Sequence, residues 1–302
     1  MHNRYLLQKL SQNQLDAIEE SGNLLLVAIP GSGKTRTLTN KVLYEYDTNA
    51  SRLIVAITYT NRAVEEMRER IFNQLGFIPS NIWIGTIHKF CLDFIIRKYS
   101  RFSVTLSKPF TIIGEKDSKD LKKRLLDKYG LRSDNYIDYT LDVFGNVKEK
   151  YIPAYVREYY KELLDMRMID FNYILYEAYK ILNAQELVAK QLSSLISVLC
   201  IDEYQDTQEL QYQILSLIYK KRKEIKLFIV GDPNQAIYTN MGGVVKSKEE
   251  LEEMFETGFS QKQLDCCYRS HQKVIDFYRN FALQDFEMNS GNVIYNAPEI
   301  KI

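Results

Sequence analysis

Leu24-Leu25-Leu26-Val27-Ala28-Ile29-Pro30-Gly31-Ser32-Gly33-Lys34-Thr35-Arg36-Thr37-Leu38 is the stretch on which the reading of this chain turns. Leu24 to Ile29 is an unbroken apolar run, the pattern of a strand buried on both faces, and it leads through a glycine loop into a helical segment. Strand, glycine loop and helix N-terminus together aim backbone N–H groups and the helix dipole at phosphate oxygens. In Gly31-Ser32-Gly33-Lys34-Thr35 the Lys34 ammonium is suited to neutralise β- and γ-phosphates, and the Thr35 hydroxyl to take a place on Mg2+. The general phosphate-loop pattern has a glycine where Ala28 stands, so the full pattern is missed by one residue.

Working outward, Leu53 to Ile57, Ile196 to Ile201 and Leu227 to Val230 are further short apolar runs, each leading into a turn and a helical pattern. Strands alternating with helices predict an α/β fold with a doubly wound parallel sheet, whose ligands sit at the carboxyl ends of the strands. After the second run, Val64, Met67 and Ile71 fall on one helical face and Glu65, Glu66, Arg68, Glu69 and Arg70 on the other, which predicts a helix packed on the sheet.

Two strand ends carry further chemistry. Ile201 is followed by Asp202-Glu203-Tyr204-Gln205-Asp206, where one carboxylate can hold Mg2+ and its neighbour can activate a water as general base; Asp202 is read as the metal residue and Glu203 as the base. Alone, the segment reads equally well as an acidic loop capping the next helix. Val230 is followed by Gly231-Asp232-Pro233-Asn234-Gln235, whose Gln235 amide can both donate to and accept from a γ-phosphate; alone, this segment is a plain turn.

From about residue 97 to 170 the strand signal gives way to helical, charge-rich text, predicting an inserted helical subdomain. It holds 16 Lys and Arg against 12 Asp and Glu, interleaved with 11 Tyr and Phe that include Tyr151, Tyr155, Tyr159 and Tyr160. Two readings stand: a solvated surface whose tyrosines form a small core, or a face that contacts DNA.

Bulk properties set outer limits. A chain of 302 residues calls for two or more structural units, and 45% hydrophobic with 26% charged residues is ordinary globular composition. Forty Lys and Arg against 39 Asp and Glu give a net charge of +1, so any nucleic-acid surface is local. Cys91, Cys200, Cys266 and Cys267 show no C-x-x-C spacing, and three histidines give no support to a zinc site. No apolar run reaches the ~18 residues of a membrane span, and Met1 to Leu10 lacks the apolar stretch of a signal peptide, so no membrane partner is expected and the location is read as cytoplasmic.

Taken in order, these segments resemble the motifs of the UvrD/Rep/PcrA-type superfamily 1 DNA helicases, and the resemblance covers nearly the whole chain. Leu10-Ser11-Gln12-Asn13-Gln14 is similar to the family's Q motif, which implies that Gln14 reads the adenine edge. The family often carries alanine where Ala28 stands, and its P-loop arginine corresponds to Arg36. Ala56-Ile57-Thr58-Tyr59-Thr60-Asn61 resembles the motif whose aromatic and polar residues touch single-stranded DNA, and Ile84-Gly85-Thr86-Ile87-His88 resembles the next DNA-contacting motif; Tyr59, Thr60, Asn61, Thr86 and His88 are the implied DNA residues. Asp202 to Gln208 and Val230 to Tyr238 resemble the following two motifs, with Gln235 as the γ-phosphate glutamine. Cys267-Tyr268-Arg269-Ser270 is similar to motif IV, implying that Tyr268 stacks on adenine opposite Arg36 and that Arg269 reaches the γ-phosphate.

The resemblance implies a RecA-like P-loop NTPase domain over 1–96 and 171–261, a helical insertion over 97–170, and the start of a second RecA-like domain over 262–302. It implies ATP with Mg2+, DNA-stimulated hydrolysis, and 3′ to 5′ movement on DNA. Three departures stand beside it. Ile29-Pro30 replaces small residues, and Pro30 donates no N–H, although the phosphate-cradling amides lie mainly in the retained GSGKT. Asn240 and Met241 replace an aromatic and an arginine after Tyr238, which predicts a weaker or differently built grip on DNA there. The family's motifs V and VI, with a further arginine for the γ-phosphate, have no counterpart in these residues, so a second motor half is expected in cis or from a partner. An alternative is a regulatory or DNA-end-sensing ATPase working with a separate nuclease in phage defence. A non-catalytic scaffold is disfavoured, because the phosphate chemistry residues are all present.

Overall fold

The computed structural model describes residues 10–46, 52–133, 136–235, 243–270, 272–279 and 289–290. Helix α1 (Gln12–Ile18) leads to β1 (Leu24–Ala28), α2 (Lys34–Glu45), β2 (Leu53–Thr58), α3 (Asn61–Leu75) and β3 (Ile82–Thr86). A continuous helical run follows, from α4 (Ile87–Phe90) through a wide π-type stretch (Cys91–Ile96) into α5 (Arg97–Tyr99). Next come β4 (Thr111–Ile112), α6 (Glu115–Tyr129), α7 (Pro153–Asp165), β5 (Met168–Ile169), α8 (Phe171–Ala184) and α9 (Glu186–Leu195). The chain then returns to β6 (Ile196–Ile201), α10 (Glu209–Tyr219), β7 (Lys226–Gly231), α11 (Lys248–Phe255), β8 (Ser260–Leu264), β9 (Cys266–Cys267), α12 (Gln272–Arg279) and β10 (Asn289–Ser290).

Six strands form one sheet in the order β3-β2-β6-β7-β1-β8, and every neighbouring pair is parallel. Successive strand residues point to opposite faces, and this sorts the core into two layers. Leu24, Leu26, Ile54, Ala56, Val198, Cys200, Phe228 and Val230 bury one face against Leu38 and Val42 of α2 and Val64, Met67 and Ile71 of α3. Leu25, Val27, Val55, Ile57, Leu199, Ile201, Leu227 and Ile229 bury the other with residues of α8, α9, α10 and α11. The sheet is doubly wound, as the unbroken apolar runs predict, and RecA-like, as the resemblance implies.

β8 was not visible as an apolar run. It is an edge strand of Ser260-Gln261-Lys262-Gln263-Leu264 in which only Leu264 is buried, so it reads as polar text. It also bears on domain division. The boundary expected at 261/262 falls inside β8, and residues 262–264 pair with Leu26, Val27 and Ala28 of the first sheet. Beyond it, β9 pairs with β10 in a separate two-stranded sheet.

The insertion is tied at its neck by the parallel pair β4 and β5. Tyr155, Tyr159 and Tyr160 of α7 are buried in the hydrophobic cluster that also covers the second face of the sheet, whereas Tyr151 is exposed. The buried ring cluster includes Tyr139 against Tyr159 with centroids 5.0 Å apart and Tyr129 against Tyr155 at 5.6 Å. For these three tyrosines the core reading holds. Their neighbours place them on one helical face at i, i+4 and i+5 spacing, which is the packed stripe of α7.

Candidate nucleotide site

The P-loop crosses from β1 to α2 with Gly31 at φ 75° and Gly33 at φ 88°, both in the left-handed region that favours glycine. Space demands glycine as strongly as the dihedral does. A Cβ on Gly31 would lie 2.8 Å from both Cys267 Sγ and Arg269 Cβ, and one on Gly33 would lie 2.9 Å from Gln14 Nε2. The Ser32 hydroxyl donates to Ile29 O at 2.7 Å and fixes the loop's turn. Gly33 is the N-cap of α2 and offers no side chain to it, so the first N–H groups of that helix stay available to an anion.

Lys34, first residue of α2, points its ammonium at Glu203, with Nζ 2.9 Å from Oε2. Glu203 lies two residues past the end of β6 and has φ 51° and ψ 51°. A left-handed non-glycine residue costs on the order of 1–3 kcal/mol, and such strain is retained where neighbouring structure over-determines it. Asp202, next to it, donates its backbone N–H to Ile57 O at 2.8 Å and accepts from Glu203 N at 3.0 Å through Oδ1. Burial, with Glu203 beside it, pushes the Asp202 carboxyl up to about 7. Asp206, also buried, is pushed up to about 6, again by burial first and Glu203 second.

Lys34, Thr35, Arg36, Glu203, Gln235 and Arg269 line one cleft of ≈440 Å³ with the two loop glycines. The chain thus gathers from four separate segments the residues that the motifs assign to phosphate. The donor set suits a hard divalent cation: a threonine hydroxyl and an acidic strand end supply oxygen, with no sulfur or imidazole among the proposed ligands. Asp206 Oδ1 is a buried polar atom without a hydrogen bond, which fits a site made for a further polar group. Glu66 and Arg70 of α3 complete one wall of the cleft as an ion pair at 2.6 Å.

Two residues with no sequence-assigned role organise the cleft. Gln205 is buried; its Nε2 donates to Glu203 Oε2 at 2.8 Å while its Oε1 accepts from Asp232 N at 2.9 Å. Asp232, fully buried, accepts from Asn234 N at 3.0 Å and from Gln235 Nε2 at 2.8 Å. A hydrogen-bonded chain therefore runs from the Glu203 carboxylate through Gln205 and Asp232 to Gln235. Their signal in the sequence is position alone: polar residues just past apolar strands that end at a phosphate loop.

The residues that the resemblance assigns to adenine lie at the edge of the loop. Tyr268 donates its backbone N–H to Gly31 O at 2.9 Å and is 44% exposed. Partial burial raises the Tyr268 hydroxyl above its ordinary range. Gln14 is more constrained than the resemblance implies. Its Oε1 accepts from Ser11 N at 3.0 Å in a capping box and its Nε2 donates to Ser32 O at 3.0 Å, leaving one amide hydrogen for a base edge.

Of the implied DNA residues, Tyr59, Thr86 and His88 line a second cavity of ≈260 Å³ at the carboxyl ends of β2 and β3, which Asp202 also borders. Thr60 and Asn61 stand exposed at the start of α3, where Thr60 Oγ1 caps the helix by accepting from Ala63 N at 3.2 Å. The Thr86 hydroxyl caps α4 by accepting from Lys89 N at 3.4 Å. Burial holds the His88 imidazole down to about 4, so it is neutral near pH 7. Tyr238, Asn240 and Met241 lie outside the described residues.

The comparison that decides the family is with the UvrD/REP helicase N-terminal domain, whose model matches residues 10–151 and 137–256. The chain belongs to the UvrD/REP helicase family. Among relatives of this family, the ATP-dependent DNA helicase PcrA of Leuconostoc citreum is 29% identical over 297 residues, covering 90% of this chain and 38% of the relative. PcrA of Bacillus subtilis (strain 168) is 27% identical over 291 residues, covering 89% of this chain and 39% of the relative. The chain therefore spans about two fifths of the length of these UvrD/REP helicases. Among solved structures, a Pif1 helicase from Bacteroides in complex with ADP-AlF3 and ssDNA aligns over 90% of this chain and 46% of its own, at a TM-score of 0.38 and 15% identity. Among the described residues no helix is long and apolar enough to cross a membrane.

Proposed function

We propose that this chain is the ATP-binding half of a DNA motor, binding ATP with Mg2+ and hydrolysing it in response to DNA in the cytoplasm. The observation that carries the reading is the convergence of Lys34, Glu203, Gln235 and Arg269 on one cleft at the carboxyl edge of a doubly wound sheet. On nucleotide entry Lys34 exchanges Glu203 for phosphate oxygens, which releases the carboxylate to accept a proton from the attacking water. Thr35 and Asp202 would hold Mg2+, which would neutralise phosphate charge. Gln235 reports on the γ-phosphate through its bond to Asp232, and Arg269 supplies a second cation. Arg36 and Tyr268 flank the adenine, and Gln14 gives it the remaining amide hydrogen.

DNA is held on the adjoining surface by Tyr59, Thr60, Asn61, Thr86 and His88. Because Asp202 borders the second cavity while Glu203, next in sequence, lines the nucleotide cleft, a shift of the β6 end on hydrolysis is felt on both sides. Movement is 3′ to 5′, and the second motor half comes in cis or from a partner. Strand displacement on 3′-tailed and 5′-tailed duplexes, with the 302-residue chain alone and with the second half supplied, tests this. The expected result is ATP-dependent displacement from the 3′ tail with both halves present and none by the chain alone. Sustained ATP turnover with no displacement from either tail would instead favour a DNA-end-sensing ATPase that serves a separate nuclease.

A further inference from the structure

The helical insertion meets the sheet at the start of α8, and three features converge there. Phe171, the first residue of that helix, is 58% exposed although Tyr173 and Ile174 behind it are buried. Asp170 caps the helix by accepting from Tyr173 N at 2.8 Å, which fixes the backbone that carries Phe171. The Phe171 ring stands edge-on to His88, with centroids 5.5 Å apart.

Asn172 is shared by two cavities. On one side it borders the cavity of Tyr59, Thr86 and His88; on the other it borders, with Phe171, an open groove of ≈750 Å³. The opposite wall of that groove is α6, which contributes Lys119, Lys122 and Lys123. Spaced i, i+3 and i+4, these lysines share one helix face, about 5–6 Å apart at their Cβ atoms. Lys119 pairs with Glu115 at 2.6 Å, Lys122 lies 4.0 Å from the Tyr139 ring centroid, and Lys123 stands exposed. The remaining acid of the groove, Asp170, is turned into the helix cap, and burial raises its carboxyl.

An exposed ring beside a row of cations is what an unpaired strand requires: bases stack on the ring and phosphates meet the ammonium groups. A paired base has both faces occupied by its neighbours, so Phe171 favours a single strand over a duplex. We propose that the groove between α6 and the start of α8 binds single-stranded DNA, continuing the strand's path from Tyr59 and His88 past Phe171 onto Lys119, Lys122 and Lys123. This rests on the DNA-binding reading above and adds a segment of track on the insertion.

Fluorescence anisotropy of the full chain with labelled oligothymidylates of about 4 and about 12 nucleotides tests it, since such lengths bracket one binding unit. The wild-type chain is expected to bind the longer strand more tightly. Phe171→Ala is expected to weaken that binding roughly 5- to 100-fold, with Phe171→Trp restoring it. A Lys119→Ala/Lys123→Ala double variant is expected to lower the slope of log K against log salt by about 0.7 for each phosphate that is no longer neutralised. Neither variant should change binding of the shorter strand or of ATP, which also shows that both are folded. Unchanged binding of the longer strand in both variants would overturn the proposal, as would equal losses on a duplex of the same sequence, which would assign the groove to paired DNA. Absence of binding to either strand by the wild-type chain would remove the DNA-binding reading itself.

Discussion

Lys34 Nζ lies 2.9 Å from Glu203 Oε2, so the phosphate-loop cation and the candidate general base hold each other. The pair makes separable demands on the two residues. Glu203→Gln keeps the shape and loses the proton acceptor, so nucleotide should bind with near-normal affinity while turnover falls about 10²-fold or more. Fluorescent-nucleotide titration beside steady-state turnover measures both; equal loss of binding and rate would move Glu203 to the metal.

Asp202 predicts a pH-dependent penalty on the stability of the fold. Its carboxyl is pushed up to about 7 in the folded chain by burial, against an ordinary value of 3.8. Between those values the unfolded chain is ionised there while the folded chain keeps the proton, so this residue's contribution to stability falls as pH rises through that window. Asp202→Asn should therefore melt above the wild-type chain at pH 8, with the gap shrinking at pH 5. A gap that is constant with pH would contradict the assignment.

The polar chain from Glu203 through Gln205 to Asp232 depends on the absence of a side chain at Gly231. A Cβ there would lie 2.2 Å from Gln205 Oε1 and 2.9 Å from Tyr204 N. Gly231→Ala should cost about 1–3 kcal/mol of stability by overpacking and should also reduce turnover, since Gln205 must leave Glu203. Chemical denaturation and turnover on the same sample check it. A variant of wild-type stability and rate would show that the bridge is dispensable.

How far the sequence could be read depends on what each residue touches. Ile196 to Ile201 was legible as a strand because a central parallel strand is apolar on both faces, and Lys34, Glu203 and Arg269 were legible because their motifs are local. β8 was hidden because an edge strand with one buried residue has no apolar run. Gln205 was hidden because its partner Asp232 is 27 residues away, a separation that only the pairing of β6 with β7 closes. Gln14, expected at the adenine edge, lies beside the loop, and its capping box with Ser11, which was not anticipated, takes the carbonyl that a base edge would use. Tyr155, Tyr159 and Tyr160 allowed two readings until burial separated them from Tyr151.

Tyr268 is joined to the loop by its backbone bond to Gly31 and stays 44% exposed at the cleft's outer edge. Tyr268→Ala should then raise the apparent KM for ATP while leaving affinity for a single-stranded oligonucleotide unchanged, because the backbone bond survives and the ring does not. Loss of DNA affinity with unchanged ATP dependence would place Tyr268 on the DNA path.

The central claim is that the cleft around Lys34 hydrolyses ATP and answers to DNA on the neighbouring surface. Steady-state ATP turnover by the wild-type chain and by Lys34→Ala, each with and without single-stranded DNA, tests it most directly. Slow turnover by the wild-type chain, raised by DNA and abolished in Lys34→Ala, is the predicted result. An added arginine on the γ-phosphate is worth about 10³-fold or more in related sites, so supplying the second motor half should raise the rate steeply. Turnover in Lys34→Ala equal to that of the wild-type chain, with or without DNA, would contradict the account.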